Sequence, residues 1–121
     1  LLKATTPGSY TFILEGTREL PRRVLHPKRK TIGLRVPAHA VTLALLEALG
    51  EPLLTSTLII AGDEGPLTEG WEIQERLESQ LEFILDSGNC GIEPTTVVDL
   101  TAALPTLVRA GLGPLAPLGF D

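Results

Sequence analysis

A chain of 121 residues with 43% hydrophobic and 21% charged residues is long enough for one domain with its own core, and too mixed in charge to be disordered. Its single cysteine excludes an intramolecular disulfide and a zinc site built from cysteines. No apolar run approaches the roughly 18 residues that span a bilayer, so we expect a soluble, cytoplasmic protein without a membrane partner.

Positive charge is concentrated in one segment, although the formal net charge of the chain is −5. Residues 36–121 carry thirteen acidic residues against two arginines, whereas residues 18–35 carry seven cations against one acid. These cations are Arg18, Arg22, Arg23, Lys28, Arg29, Lys30 and Arg35. A local positive patch on an acidic body indicates an anionic ligand, and a solubilising surface loop is the alternative.

The first half of the chain predicts two strands and a helix. YTFILEG at residues 10–16 follows a turn signal and is rich in β-branched and aromatic residues, as strands are. In TIGLRVP at residues 31–37 apolar side chains alternate with others, which predicts a strand with one buried face and Arg35 on the opposite face. HAVTLALLEALG at residues 39–50 has an apolar stripe at helical spacing, which predicts a mostly buried helix capped by Gly50.

The second half mixes strands with one helix. The apolar and β-branched run at residues 52–60 is typical of an interior strand covered on both sides. A helix is predicted over residues 69–81, with Thr68 as its N-cap and Glu72 able to pair with Arg76. Three short strands are expected at residues 81–86, 95–100 and 106–110. This order predicts an α/β sandwich with a mixed sheet, in a single domain over residues 1–121.

Arginines inside apolar strands are the clearest sign of function. The chain has no GxxxxGK[ST] or GxGxxG loop, no GxSxG elbow and no HExxH motif. Arg35 and Arg109 each lie in an apolar strand, where a lone cation is costly unless it meets a carboxylate or a phosphate. Both are candidates for anion binding, and a structural ion pair with Asp99 is the alternative. His39 is interpreted as a polar residue that opens the helix.

Five strings, in this order, resemble the YrdC/YciO-like threonylcarbamoyl-AMP synthase family: PGSYTFIL, TIGLRVPAHA, PLLTSTLIIAG, PTTVVDL and LVRAG. Ile59, which stands where the family has an asparagine, resembles the YciO branch of that family. The resemblance runs through the chain but covers roughly the last three-fifths of such a domain. It implies a YrdC-like α/β domain, a twisted mixed sheet with flanking helices, truncated at its N-terminus. Because the chain begins at Leu1 and contains no methionine, we also expect a missing upstream stretch.

Known members of this family join L-threonine, bicarbonate and ATP into threonylcarbamoyl-adenylate, on the way to a modified adenosine in tRNA. By this resemblance, Pro7 and Thr11 lie beside the L-threonine pocket. The residues that the resemblance assigns to the nucleotide or to substrate anions are Arg35, Thr57, Thr95, Thr96 and Arg109. For the hydroxyls among them, ordinary sheet sequence is the alternative reading. ATP is the expected substrate nucleotide, and Mg²⁺ is left open as its companion ion.

Two departures from the family pattern predict weak or absent synthase activity. Ile59 stands where the family has an asparagine, and the chain has no counterpart of the family's KxR phosphate motif. An RNA-binding module without catalysis is the alternative, and it would hold tRNA or double-stranded RNA through Arg22, Arg23, Lys28, Arg29 and Lys30. A remnant that folds only with a partner or with its missing half is a third hypothesis, because truncation through a sheet leaves an unpaired edge.

Overall fold

In a computed structural model, the structure describes residues 2–17, 26, 28, 30–89 and 91–120. Contacts divide the chain into two compact units: unit 1 is Leu1–Pro52 with Glu93–Asp121, and unit 2 is Leu53–Ile92. The prediction of one domain over residues 1–121 stays a prediction. The helices are α1 (Leu2–Thr5), α2 (Ala40–Leu49) and α3 (Gly70–Leu77), with short 3₁₀ helices at Glu78–Gln80 and Ala116–Leu118. The strands are β1 (Tyr10–Glu15), β2 (Thr31–Leu34), β3 (Thr96–Asp99) and β4 (Thr106–Arg109).

Unit 1 is built on a four-stranded sheet with the order β2-β1-β3-β4. Strand β1 is antiparallel to β2 and parallel to β3, and β3 is antiparallel to β4. The mixed sheet with flanking helices that was predicted is therefore confirmed. Among the described residues, no helix combines the length and the apolar character needed to cross a membrane.

The core lies against one face of this sheet. Tyr10, Phe12 and Val98 project to the same side because side chains alternate along β1 and β3, and Leu118 from the C-terminal 3₁₀ helix packs against them. The rings of Tyr10 and Phe12 stack with their centroids 5.9 Å apart. Leu100 and Phe120 add partly buried apolar surface to this cluster. We call this side of the sheet the core face.

Helix α2 forms at the predicted position but is not buried. His39 caps its first turn, because His39 Nδ1 accepts a hydrogen bond from the amide of Thr42 at 3.3 Å. Gly50 ends the helix in the left-handed conformation, at φ 73°, and its amide donates to the carbonyl of Leu46 at 2.9 Å. Both caps were predicted. The expectation of a mostly buried helix was wrong, since no residue of α2 is buried among the described residues.

Unit 2 departs most from the sequence-based expectations. Residues 52–60 and 81–86 form no strand in the described part of the chain, so both predictions were wrong. An apolar β-branched run becomes a strand only when another strand supplies its hydrogen bonds, and here none does. Many large apolar side chains of unit 2 remain exposed: Leu53, Leu54, Ile59, Trp71, Leu81, Phe83, Leu85 and Ile92.

Helix α3 is shorter than predicted and begins later. Its N-cap is Glu69, without a side-chain cap bond, so the prediction of Thr68 as the cap was wrong. The Glu69 carboxylate instead accepts a hydrogen bond from the Asn89 side-chain amide at 2.9 Å. Arg76 forms its salt bridge with Asp63, at 2.8 Å, rather than with a residue of its own helix.

Candidate anion-binding face of the sheet

The sheet of unit 1 has a second face, opposite the core face, that is open. Period-two alternation places on it the residues that lie between the core positions of β1 and β3, together with their cross-strand partners. These residues include Thr11, Ile13, Gly33, Val97, Asp99, Thr106 and Arg109. None of them is fully buried. We call this surface the second face, and within the described residues it carries the Thr11 side chain, which is partly exposed.

A β-bulge places Arg109 on the second face. Arg109 lies opposite Val97, whereas Leu107 lies opposite Val98, so Val108 is an extra residue in β4. Directly opposed residues share a face, and Val98 belongs to the core. Leu107 therefore joins the core face while Arg109, two residues later, joins the second face. Without the bulge, both would have projected to the same side.

Arg109 is the first of three side chains joined by hydrogen bonds on the second face. Its Nε and one terminal nitrogen donate to the carbonyl of Thr95 at 3.0 and 2.9 Å, and that terminal nitrogen also reaches Thr95 Oγ1 at 3.2 Å. Thr95 Oγ1 in turn lies 2.7 Å from Thr11 Oγ1. The chain of contacts runs from the edge strand β4 across the start of β3 to the central strand β1. The alternative of an ion pair with Asp99 is wrong, because among the described residues Arg109 bonds to Thr95 and to no carboxylate.

Asp99 lies on the second face, where its Oδ1 accepts from the amide and hydroxyl of Thr101 at 2.8 and 2.6 Å. This face therefore carries a carboxylate as well as a guanidinium.

Arg35 follows directly after β2, at the opposite edge of the sheet from Arg109. Leu34 lies opposite Phe12, on the core face, so alternation continued one residue past β2 would place Arg35 on the side of the second face. The carbonyl of Val36 accepts a hydrogen bond from the amide of Gly8 at 2.8 Å, which keeps this segment beside the start of β1. Arg35 is exposed and, within the described residues, has no carboxylate partner.

Gly33 leaves the second face open between these groups. It lies opposite Ile13, and a Cβ atom at this position would sit only 3.3 Å from Thr11 Cγ2. A larger residue would therefore crowd the Thr11 methyl group. The sequence reasoning did not single out Gly33, although the alternation of TIGLRVP already places it on the same face as Arg35.

Two of the predicted site residues have other surroundings. Thr96 lies in the core, with no exposed surface, and its hydroxyl donates to the carbonyl of Gly113 at 2.7 Å and accepts from the amide of Gly111 at 3.0 Å. The prediction that Thr96 binds a nucleotide is therefore corrected: both hydrogen bonds are used inside the protein. Thr57 is exposed in unit 2, where its carbonyl accepts from the hydroxyl of Ser56 and the amide of Ile59.

The remaining predicted residues lie at the margins of unit 1. Pro7 is exposed in the turn before β1. Lys28 and Lys30 are exposed next to the other end of β2, and Lys30 takes the left-handed conformation, at φ 58°. The amide of Lys30 donates to the carbonyl of His26 at 2.9 Å, which closes this turn. Arg22, Arg23 and Arg29 lie outside the described residues, and their assigned role stays a prediction.

This geometry defines the class of protein: an α/β domain with a mixed four-stranded sheet, one face of which carries partly exposed polar side chains. Residues 1–111 match the Sua5/YciO/YrdC family, whose description is telomere recombination. The chain belongs to this family, which confirms the resemblance seen in the sequence. It is 52% identical to YciO of Escherichia coli K12 over 117 residues, which are 97% of this chain and 57% of YciO. It therefore spans little more than half the length of that relative.

More distant relatives carry the name of an enzyme. The chain is 34% identical to threonylcarbamoyl-AMP synthase of Pyrococcus abyssi, over 95% of this chain and 34% of that protein. The crystal structure of E. coli YciO superimposes with a TM-score of 0.86 at 51% identity, over 97% of this chain and 57% of that one. The structure of P. abyssi Sua5 complexed with L-threonine superimposes with a TM-score of 0.78 at 30% identity, over 91% of this chain and 32% of that one.

Proposed function

We propose that the second face of the sheet in unit 1 forms part of a site for L-threonine and ATP, in a YciO-type domain of the threonylcarbamoyl-AMP synthase family. The observation that carries the proposal is the hydrogen-bonded set of Arg109, Thr95 and Thr11 on an open face toward which Arg35 is also directed. The L-threonine complex of P. abyssi Sua5, a structural relative, supports an amino acid as one ligand.

The distance across the sheet limits what the two arginines can hold. Arg35 and Arg109 belong to the two edges, which are three strand spacings apart, or roughly 14 Å at about 4.8 Å for each spacing. One carboxylate or phosphate cannot bridge that distance. Two anionic groups of one large ligand, or of two ligands bound side by side, can. An amino acid next to a nucleotide meets this requirement.

The same residues suit the chemistry that joins these ligands. A carbamate that attacks the α-phosphate of ATP builds negative charge on the phosphate oxygens and on the departing pyrophosphate. Fixed guanidinium and hydroxyl donors stabilise such charge, and each typically contributes on the order of a hundredfold in rate. Mg²⁺, where it takes part, would arrive with the nucleotide. Because Ile59 stands where the family has an asparagine, we expect binding with little turnover.

Isothermal titration with L-threonine and with ATP tests the site. We expect Arg35→Ala to weaken the binding of at least one ligand about tenfold, since a charge-assisted hydrogen bond is lost. Arg76→Ala, which removes an exposed arginine from unit 2, is the matched control and should leave both affinities unchanged. Equal affinities for the wild type and Arg35→Ala would contradict the proposed site. Release of pyrophosphate from ATP, dependent on threonine and bicarbonate, measures turnover on the same variants.

RNA binding is a second candidate, which the exposed Lys28 and Lys30 favour. These lysines lie at the end of β2 away from Arg35, so the two functions involve different surfaces of unit 1. Contacts with RNA phosphates release counterions, and the logarithm of the binding constant should fall with a slope of roughly −0.7 to −0.9 per contact against the logarithm of salt. A Lys28→Ala, Lys30→Ala double variant should reduce the steepness of that slope by roughly 1.4 to 1.8. Binding of tRNA that does not depend on salt would contradict this candidate.

A further inference from the structure

Hydrogen bonding on the second face has a direction, and Arg109 sets it. A guanidinium has five N–H donors and no acceptor, so every bond between Arg109 and Thr95 runs from the arginine to the threonine. Thr95 Oγ1 therefore accepts a hydrogen bond from Arg109, over 3.2 Å. The same hydroxyl lies 2.7 Å from Thr11 Oγ1, where either atom can be the donor.

The positive charge beside Thr95 decides between these two arrangements. A hydroxyl proton is repelled by the guanidinium, so it turns away from Arg109 and toward the lone pairs of Thr11. Donation from Thr95 to Thr11 satisfies the Thr95 proton, whereas donation in the reverse sense would leave that proton without a protein acceptor among the described residues. Hydrogen bonds arranged in one direction also polarise and strengthen one another.

We propose that Arg109, through Thr95, orients the Thr11 hydroxyl so that its proton is offered to the ligand, and that the group bound at Thr11 is a carboxylate or phosphate oxygen. Arg109 is thus a positioning residue, and Thr11 is the residue that contacts the ligand. This inference rests on the proposed function. Beyond the proposed function, the inference gives the orientation of a bound amino acid: its carboxylate lies over Thr11 on β1, and its ammonium group points away from Thr11.

A neutron crystal structure of the deuterium-exchanged protein tests the direction without any ligand. We expect deuterium on Thr95 Oγ1 directed at Thr11 Oγ1, and the Thr11 deuterium directed outward from the second face. Deuterium on Thr11 directed at Thr95 would overturn the inference, even if the proposed function were correct. In an Arg109→Gln crystal, which lacks the guanidinium, the preference should be lost.

Ligand binding provides the second test, with L-threonine compared with L-threoninol, which has an alcohol in place of the carboxylate. We expect Thr11→Val to weaken L-threonine binding about tenfold and to leave threoninol binding nearly unchanged, because a hydrogen bond to a charged group is lost in one case only. Thr11→Ser keeps the hydroxyl and should restore the wild-type ratio. Arg109→Lys should lower the threonine-to-threoninol ratio severalfold, since lysine cannot reproduce the forked contact with Thr95.

The outcomes separate the inference from the proposed function. Equal losses for both ligands in Thr11→Val would overturn the carboxylate assignment while leaving the site itself in place. Failure of the wild type to bind any ligand, with the neutron result as expected, would instead refute the proposed function and leave the direction of the hydroxyl chain established.

Discussion

The hydroxyl of Thr96 joins the core of the sheet to the C-terminal turn, because it donates to the carbonyl of Gly113 at 2.7 Å. It also accepts a hydrogen bond from the amide of Gly111 at 3.0 Å. The Tyr10 hydroxyl adds a parallel contact, to the carbonyl of Pro114 at 2.7 Å. Residues 111–114 are thus tied to β1 and β3 by buried or partly buried hydrogen bonds.

Replacing Thr96 should therefore destabilise the protein without a direct effect on ligands. Thr96→Val keeps the shape of the side chain but leaves the Gly113 carbonyl and the Gly111 amide without their partner, at a cost of about 1–3 kcal/mol in the free energy of unfolding. Urea denaturation followed by circular dichroism measures this cost. Thr96→Ser, which retains the hydroxyl, should lower the free energy of unfolding clearly less than Thr96→Val does. A Thr96→Val protein as stable as the wild type would show that water replaces the threonine in this turn.

Gly113 should tolerate no side chain. A Cβ atom there would lie 2.5 Å from a Tyr10 ring carbon and 2.8 Å from the carbonyl oxygen of Ser9, so backbone and ring would both have to move. We expect Gly113→Ala to lower the free energy of unfolding by about 1–3 kcal/mol through overpacking. Gly65→Ala is the matched control, because nothing lies within 4 Å of its Cβ position. Similar melts for the two variants would contradict this packing.

Local patterns predicted β1 and β3 because these strands follow period-two alternation. For residues 31–37 the strand itself formed over Thr31–Leu34, but the prediction of one buried face was wrong, since β2 has no buried residue and Leu34 and Val36 are exposed. The burial of β1 and β3 alternates along each strand, as their sequences indicate. The run at residues 52–60 has equal β-propensity but forms no strand in the described chain. β-Propensity is a property of a single segment, whereas a strand also needs a neighbouring strand to pair with. A local sequence pattern carries no information about that neighbour.

The candidate site shows the same limit more sharply. Arg35 is exposed, as are its neighbours Leu34 and Val36, so alternation along residues 31–37 does not distinguish it. The phase of β3 does separate Thr95 from the buried Thr96. That Arg109 shares a face with Thr11 depends on the strand order and on the bulge in β4. Both arise from pairing between distant parts of the chain, so the sequence alone marked Arg109 as unusual but did not reveal its contact with Thr95.

The salt bridge between Arg76 and Asp63 should contribute little to the free energy of unfolding. This small contribution should not vary with pH near neutrality. The hydrogen bond with Asp63 raises the pKa of Arg76, with smaller contributions from the charges of Asp63 and Glu72. A raised pKa gives stability that is present below the unfolded value and lost only as the pH rises through the folded value, far into the alkaline range. The pair is solvent-exposed, so screening by water and salt keeps its effect small.

Denaturation of Arg76→Gln and the wild type at about pH 6 and about pH 9 should give the same small difference at both values. Salt at about 1 M should reduce that difference further, because the Debye length falls to roughly 3 Å. A difference that grows between these two pH values would contradict the assignment, since Arg76 keeps its charge throughout.

Trp71 should report the exposed, acidic surface of unit 2. It is the only tryptophan in the chain, and 63% of its surface is exposed on helix α3. Residues 53–92 contain eight acidic residues and one arginine, so the potential around the indole is negative. We expect emission at the wavelength of a hydrated indole and strong quenching by neutral acrylamide. Iodide should quench less than caesium, because the surrounding carboxylates repel one ion and attract the other.

A neighbouring charge provides the matched control for this experiment. Glu75 lies four residues after Trp71, one helical turn away on the same face of α3, so Glu75→Gln removes a nearby carboxylate without changing the side-chain size. Iodide quenching should rise in this variant while acrylamide quenching stays the same. Salt at about 1 M should erase the difference between iodide and caesium. Blue-shifted emission with weak acrylamide quenching would show that the indole is covered in solution, and the apolar surface of unit 2 would then be part of an interface.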